Sequence, residues 1–155
     1  MRGAGLDLVA VARSANTGSA AHPATSVLVN AQGEQTRYRF ADVGGSFRLL
    51  DSTGPGCARC GPTNLRYAYD AAGRLRSVED VDHSLARVPR AQYERDEFGR
   101  ATRVRVPSVV PGQIHETHYV FDEAYPARLA RIEETGYSPL GPIRRRIDYS
   151  YDAAG

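Results

Sequence analysis

Tyr67-Ala68-Tyr69-Asp70-Ala71-Ala72-Gly73-Arg74-Leu75 is the stretch on which the reading of this chain turns. In an extended backbone the rings of Tyr67 and Tyr69 sit at i and i+2, on one face of a strand. Asp70 to Gly73 has turn spacing, with Asp favoured at the first position and Gly at the fourth. A Gly in the left-handed region closes a three-residue hairpin loop with a bulge. That loop sets Asp70 beside Arg74 and Tyr69 opposite Leu75, matching charge with charge and apolar with apolar. A two-residue loop would place Tyr69 opposite Arg74 instead.

The same pattern runs along the chain. Tyr93-Glu94-Arg95-Asp96-Glu97-Phe98-Gly99-Arg100 repeats it, Tyr119-Val120-Phe121-Asp122 repeats its first half, and Tyr149-Ser150-Tyr151-Asp152-Ala153-Ala154-Gly155 closes the sequence. A degenerate copy precedes them in Tyr38-Arg39-Phe40-Ala41-Asp42, with Gly45 and Phe47 after it. The leading tyrosines are separated by 29, 26, 26 and 30 residues, a near-constant period that makes the chain a tandem array. In the third copy Glu123-Ala124-Tyr125-Pro126 replaces the Gly turn, so that loop is longer or differently shaped.

The flanking sequence fits the same plan. Asn30-Ala31-Gln32-Gly33 is another turn of this kind, between strands at 26–30 and 34–40. Residues 47–51, 74–79, 100–106 and 128–133 read as return strands. Gly54-Pro55-Gly56, the run 107–112 and the run 136–142 read as connectors between hairpins. Helical spacing is weak everywhere and is strongest near 81–87. Residues 1–25 carry no copy of the pattern and read as a loosely held N-terminal segment, leaving 26–155 as the array.

Composition agrees. Fifteen Gly, nine Pro and nine Tyr in 155 residues suit many short strands joined by turns. The formal charge of +2 is too small to imply a nucleic-acid partner. All 20 basic residues are Arg, which stacks on rings and forks onto carboxylates as Lys does not. No apolar run reaches the roughly 18 residues of a membrane span, and the stretch 6–12 carries Asp7, a poor signal-peptide core.

The run Tyr67 to Leu75 resembles the defining motif of Rhs/YD-repeat proteins. The stretch from Arg37 to Asp70 is similar to bacterial members, through Phe47-Arg48-Leu49-Leu50, Gly54-Pro55-Gly56-Cys57-Ala58-Arg59-Cys60-Gly61 and Asn64-Leu65-Arg66-Tyr67. The resemblance covers residues 26–155. It implies an all-β fold of tandem antiparallel β-hairpin (YD) repeats, forming part of a β-sheet spiral or shell. In such proteins the shell encloses a C-terminal polymorphic toxin until a secretion apparatus delivers it. Partners would therefore be the remainder of the shell, the enclosed toxin and that apparatus. The location would be secreted or cell-surface after delivery by the full-length protein. The sequence stops at Gly155, inside a turn and short of a shell's length, so it is expected to be a fragment. The family's self-cleaving aspartyl protease site has no match here, and no catalytic residue carries over.

Candidate chemistry is sparse. Cys57 and Cys60 have the spacing of a local disulfide or half of a zinc site, but no second Cys pair exists. His115 and His118 at i and i+3 would point to opposite faces of a strand. The signature residues Tyr67, Tyr69, Asp70, Gly73, Arg74, Tyr93, Asp96, Gly99, Arg100, Tyr119, Phe121, Asp122, Tyr149, Tyr151, Asp152 and Gly155 read as structural. Their carboxylates recur at one turn position, where a catalytic carboxylate is normally singular. His22, His83, His115 and His118 have no nucleophile motif beside them. Arg144-Arg145-Arg146 reads as a solvated strand face. The expectation is a shell segment with no enzymatic activity and no cofactor. The competing readings are a carbohydrate- or protein-binding module of a cell-surface protein, and a small metal or redox protein centred on Cys57 and Cys60.

Overall fold

In a computed structural model the chain forms β-strands and turns. The structure describes residues 8–13, 18–19, 21–56, 62–81 and 87–152, and no helix occurs among them. The chain divides into two compact units, Met1–Val88 and Pro89–Gly155.

The first unit contains β1 (Leu8–Arg13), β2 (Ala24–Asn30), β3 (Gln35–Val43), β4 (Ser46–Thr53), β5 (Leu65–Tyr69) and β6 (Leu75–Val81). The second contains β7 (Arg87–Arg95) from Pro89 onward, β8 (Ala101–Pro107), β9 (Ile114–Phe121), β10 (Leu129–Ser138) and β11 (Gly141–Asp148). Within each unit every strand pairs antiparallel with its neighbours in sequence.

The turns follow the Asx-x-x-Gly spacing. At 30–34, 70–74 and 96–100 the fourth-position glycine amide donates to the first residue's carbonyl at 3.0 Å, and Gly33, Gly73 and Gly99 have φ of 80°, 73° and 86°. The Asp70 amide donates to Arg74 at 2.9 Å, closing the three-residue loop, and Tyr69 stands opposite Leu75. The hairpin at 42–46 differs. Val43 pairs with Ser46 around Gly44 and Gly45, both at positive φ, which permits a two-residue loop. In the third copy the loop spans 123–127, with the Asp122 amide bonded to the Arg128 carbonyl at 2.9 Å.

The N-terminal segment is not wholly loose, because Leu8–Arg13 forms β1 and pairs with β2. The connector expected at 136–142 is also shorter. β10 runs to Ser138 and β11 begins at Gly141, so Gly136 and Pro142 lie in paired strands. Pro142 is tolerated because β11 is an edge strand of its unit.

One feature has no signature in the sequence. The β3–β4 ladder slips at Leu50, β5–β6 at Arg76, β7–β8 at Thr102 and β9–β10 at Ala130. Each slip is a bulge of one extra residue on the return strand, the third residue past the loop at Arg76, Thr102 and Ala130 and the fifth past it at Leu50. The first three are 26 residues apart and the last follows after 28, the third hairpin having two more loop residues.

Burial is thin. Ala41, Leu65 and Ala91 are the buried apolar residues described, with Thr36 and Ser52 buried among the polar ones. Two-residue alternation gathers most charged cross-strand pairs of each unit on one face, while Glu134 and Arg145 pair on the other face of the second unit and Asp80 stands opposite Leu65 on the other face of the first. In the first unit Tyr38, Leu65 and Tyr67 lie on the face opposite Arg39, Asp51 and Arg66.

Candidate functional site

The signature residues resolve into three kinds of contact. The first lies in the turns themselves. Asp70 Oδ1 accepts from the Ala72 and Arg74 amides at 3.0 and 2.9 Å, while its Oδ2 accepts from Arg74 Nε at 2.7 Å. Asp96 repeats this with the Arg100 amide at 2.9 Å and Arg100 Nε at 2.6 Å. Asn30 does the same with neutral chemistry, accepting from the Gln32 and Glu34 amides and donating through Nδ2 to Glu34. Asp122 accepts from the Ala124 and Tyr125 amides, both at 2.8 Å. The Arg74 amide, with its guanidinium, holds the Asp70 carboxyl below the ordinary carboxylate range. Partial desolvation pushes Asp96 up, but the Arg100 side chain and amide outweigh it and leave the group low.

The second contact runs from two tyrosines of the pattern back to an earlier return strand. The Tyr69 hydroxyl donates to the Leu49 carbonyl at 2.7 Å, and the Tyr151 hydroxyl donates to the Leu129 carbonyl at 2.8 Å. Leu49 and Leu129 each directly precede a bulged residue, Leu50 and Ala130. A bulge disrupts the ladder and leaves backbone groups in need of a partner. The second tyrosine of Tyr-x-Tyr supplies one. Burial is the first cause raising the Tyr69 hydroxyl above its usual range. In the middle copies this position holds Arg95 and Phe121, and neither side chain carries a hydroxyl.

The third contact is arginine on aromatic rings. The Arg100 guanidinium lies 4.0 Å from the Phe121 ring centre and 5.0 Å from that of Phe98. Arg128 lies 4.4 Å from Tyr125 and 5.2 Å from Tyr151, and Arg95 lies 5.9 Å from Tyr93. Arg100 and Arg128 are therefore each flanked by two rings, an arrangement that favours Arg over Lys.

The turn glycines bring neighbouring hairpins close. A Cβ on Gly44 would overlap the Ala72 carbonyl carbon and the Gly73 nitrogen, and one on Gly73 would overlap the Val43 oxygen. Only residues without side chains allow this approach.

On the charged faces the residues form cross-strand rows. In the first unit Arg39, Asp51, Arg66 and Glu79 stand opposite one another in turn, alternating in sign. Arg39 Nε lies 2.9 Å from both Asp51 carboxylate oxygens. In the second unit Glu94, Arg103, His118, Glu133 and Arg146 form one row, and Gln92, Arg105, Glu116, Thr135 and Arg144 the next. Glu116 accepts from Arg105 Nε at 2.5 Å and lies 2.5 Å from His118 Nε2. The Arg105 hydrogen bond is the main reason its carboxyl sits below the usual range. Asp148 is held low by Arg146 and then Arg131.

The Arg144-Arg145-Arg146 run lies on β11 and lines a groove with Glu133, Glu134 and Thr135 of β10. Arg146 pairs with Glu133 and Arg145 with Glu134 in register, so carboxylates stand opposite two of the three guanidiniums. His115 and His118 point to opposite faces as expected, His115 lying against Gly136 and His118 joining the charged rows. Cys57, Cys60, His83 and Gly155 lie outside the described residues. Among the described residues no group of three or more His, Cys, Asp or Glu side chains converges as a metal site, and no helix is long and apolar enough to cross a membrane. The tyrosine bonds and the charged rows were missed in the sequence, because both depend on which residues a bulge brings opposite one another. No family model matches the chain, and no curated protein does.

Proposed function

We propose that this chain is a wall segment of an Rhs-type β-shell, part of a longer protein that encloses and delivers a C-terminal toxin. The observation that carries the reading is the recurrence of one unit: a strand carrying Tyr38, Tyr67, Tyr93 or Tyr119, a turn led by Asp42, Asp70, Asp96 or Asp122, and a bulge at 50, 76, 102 and 130. A tyrosine reaching back to the preceding bulge ties one hairpin to the last, as a continuous wall requires. The thin burial supports the same reading, since a single sheet layer gains stability from what its neighbours add. In this reading the recurrent Asp residues serve the turns and the segment performs no catalysis. The protein acts outside the cell that makes it.

The test is electron microscopy with protease protection on the full-length polypeptide containing this segment. A closed β wall around a C-terminal domain that resists protease is the expected result. An open ribbon, with that domain digested as fast as when expressed alone, would overturn it.

A second reading has its own observation. Phe98 and Tyr125 are 66% and 58% exposed, each with an Arg against its ring, which is chemistry suited to stacking on sugars. Binding on a glycan array that is lost in Phe98→Ala would favour a carbohydrate-binding module over the shell wall.

A further inference from the structure

His118 stands where two neighbours compete for one nitrogen. Arg103 Nε points at Nε2 from 3.0 Å, and Glu116 Oε1 lies 2.5 Å from the same atom. An imidazole nitrogen either accepts or donates, so the donor and the acceptor are not both satisfied at once. We propose that His118 is a proton-operated selector that sets the partner of Arg103. With Nε2 bare, Arg103 Nε donates to the ring. When the ring takes up a proton, Nε2–H donates to Glu116, and Arg103 Nε leaves the ring while the guanidinium stays on Glu94, which it already reaches through Nη1.

The surrounding groups suit the exchange. From β8 the ring faces Arg103 and, one row over, Arg105. From β9 it faces Glu116, and from β10 Glu133 stands directly opposite. Glu133 is engaged by Arg131 at 3.3 Å, and Arg105 keeps its own bond to Glu116. Glu94 already accepts from Arg103 Nη1 at 3.3 Å while also pairing with Arg105 Nη1 at 3.0 Å, and Glu116 Oε1 lies 3.7 Å from Arg103 Nε, so carboxylates hold the guanidinium on both sides once its Nε leaves the ring. Glu94 and Glu116 balance Arg103 and Arg105 while the ring is neutral. A charged ring adds one positive charge, and moving Arg103 away from it relieves that repulsion.

The experiment is NMR on the isotopically labelled full chain, following the His118 ring nitrogens and Arg103 Nε between about pH 8 and 5, the range in which histidine changes charge. The Arg103 Nε resonance is expected to shift with the same midpoint as the His118 ring. The shift is lost in His118→Gln and kept in His115→Gln. A flat Arg103 resonance, or a shift that survives His118→Gln, overturns the proposal. Should His118→Gln not fold, Glu94→Ala decides: it removes the carboxylate acceptor altogether, and an unchanged low-pH Arg103 signal overturns the proposal equally.

Discussion

Replacing Tyr69 by Phe removes one oxygen and leaves the ring in place. In the structure that oxygen donates at 2.7 Å to the Leu49 carbonyl, beside the bulge at Leu50. A net hydrogen bond contributes about 0.5–1.5 kcal/mol, and an acceptor left dry costs about 1–3 kcal/mol. Leu49 and Tyr69 are both half-buried, so water reaches part of the orphaned carbonyl. The expected loss is therefore about 1 kcal/mol, or about 4–8 °C in Tm for a unit of this size. The assay is thermal and urea unfolding of the full chain. Tyr69→Leu, which also removes ring packing, should cost more. Tyr151→Phe should cost less, because Tyr151 is 41% exposed, and the two losses should add because they lie in separate units. Phe121→Tyr offers the reverse test, since Ala101 precedes the Thr102 bulge as Leu49 precedes that at Leu50. Unchanged stability in Tyr69→Phe, together with no gain in Phe121→Tyr, would refute the claim that these hydroxyls tie hairpins together.

Gly44→Ala should destabilise well beyond Gly33→Ala, as chemical denaturation can measure. Both sit at positive φ, costing about 1–2 kcal/mol for an L side chain, but only at Gly44 does the new Cβ collide with backbone, that of Ala72 and Gly73. Asp70→Asn should retain more stability than Asp70→Ala in thermal melts, because Asn keeps the acceptor for the Ala72 and Arg74 amides. Equal stability of the two would remove the turn role. Acid should destabilise the chain. Asp70, Asp96, Glu116 and Asp148 all have lowered folded pKa values, so the unfolded chain binds protons first as pH falls. Their contribution is complete above the unfolded carboxylate range and is lost as pH drops below about 4. Unfolding midpoints measured from neutral pH down to acid should show that decline, and a flat profile would contradict it.

The turns were legible in the sequence because their determinants are local: Asn or Asp, two residues, then a Gly that accepts positive φ. The Tyr69–Leu75 register followed from that loop. What lay hidden was non-local. Nothing about Leu50, Arg76, Thr102 or Ala130 as residue types marks a bulge, since leucine, arginine, threonine and alanine share no such preference. The charged rows follow only after the bulges set the pairing, which brings Asp51 opposite Arg39. The two-residue hairpin at Gly44–Gly45 escaped for a different reason. There Asp42 and Gly45 preserve the four-residue spacing, yet the extra Gly44 permits a tighter loop. At the C-terminal end Gly136 and Pro142 suggested a connector, but an edge strand accepts both.

The bulge also separates the length of a loop from the facing of its strands. In the third hairpin residues 123–127 replace a loop such as 71–73, five residues in place of three, yet the slip still falls just past the turn, at Ala130. Beyond it Glu133 faces His118 as Arg103 does from the other side. A change of two residues leaves the two-residue alternation in phase, so each face of the sheet keeps its residues when the tip is rebuilt. Such tips are places where foreign sequence, a tag or an epitope, can be inserted in even increments while the sheet behind them keeps its polarity.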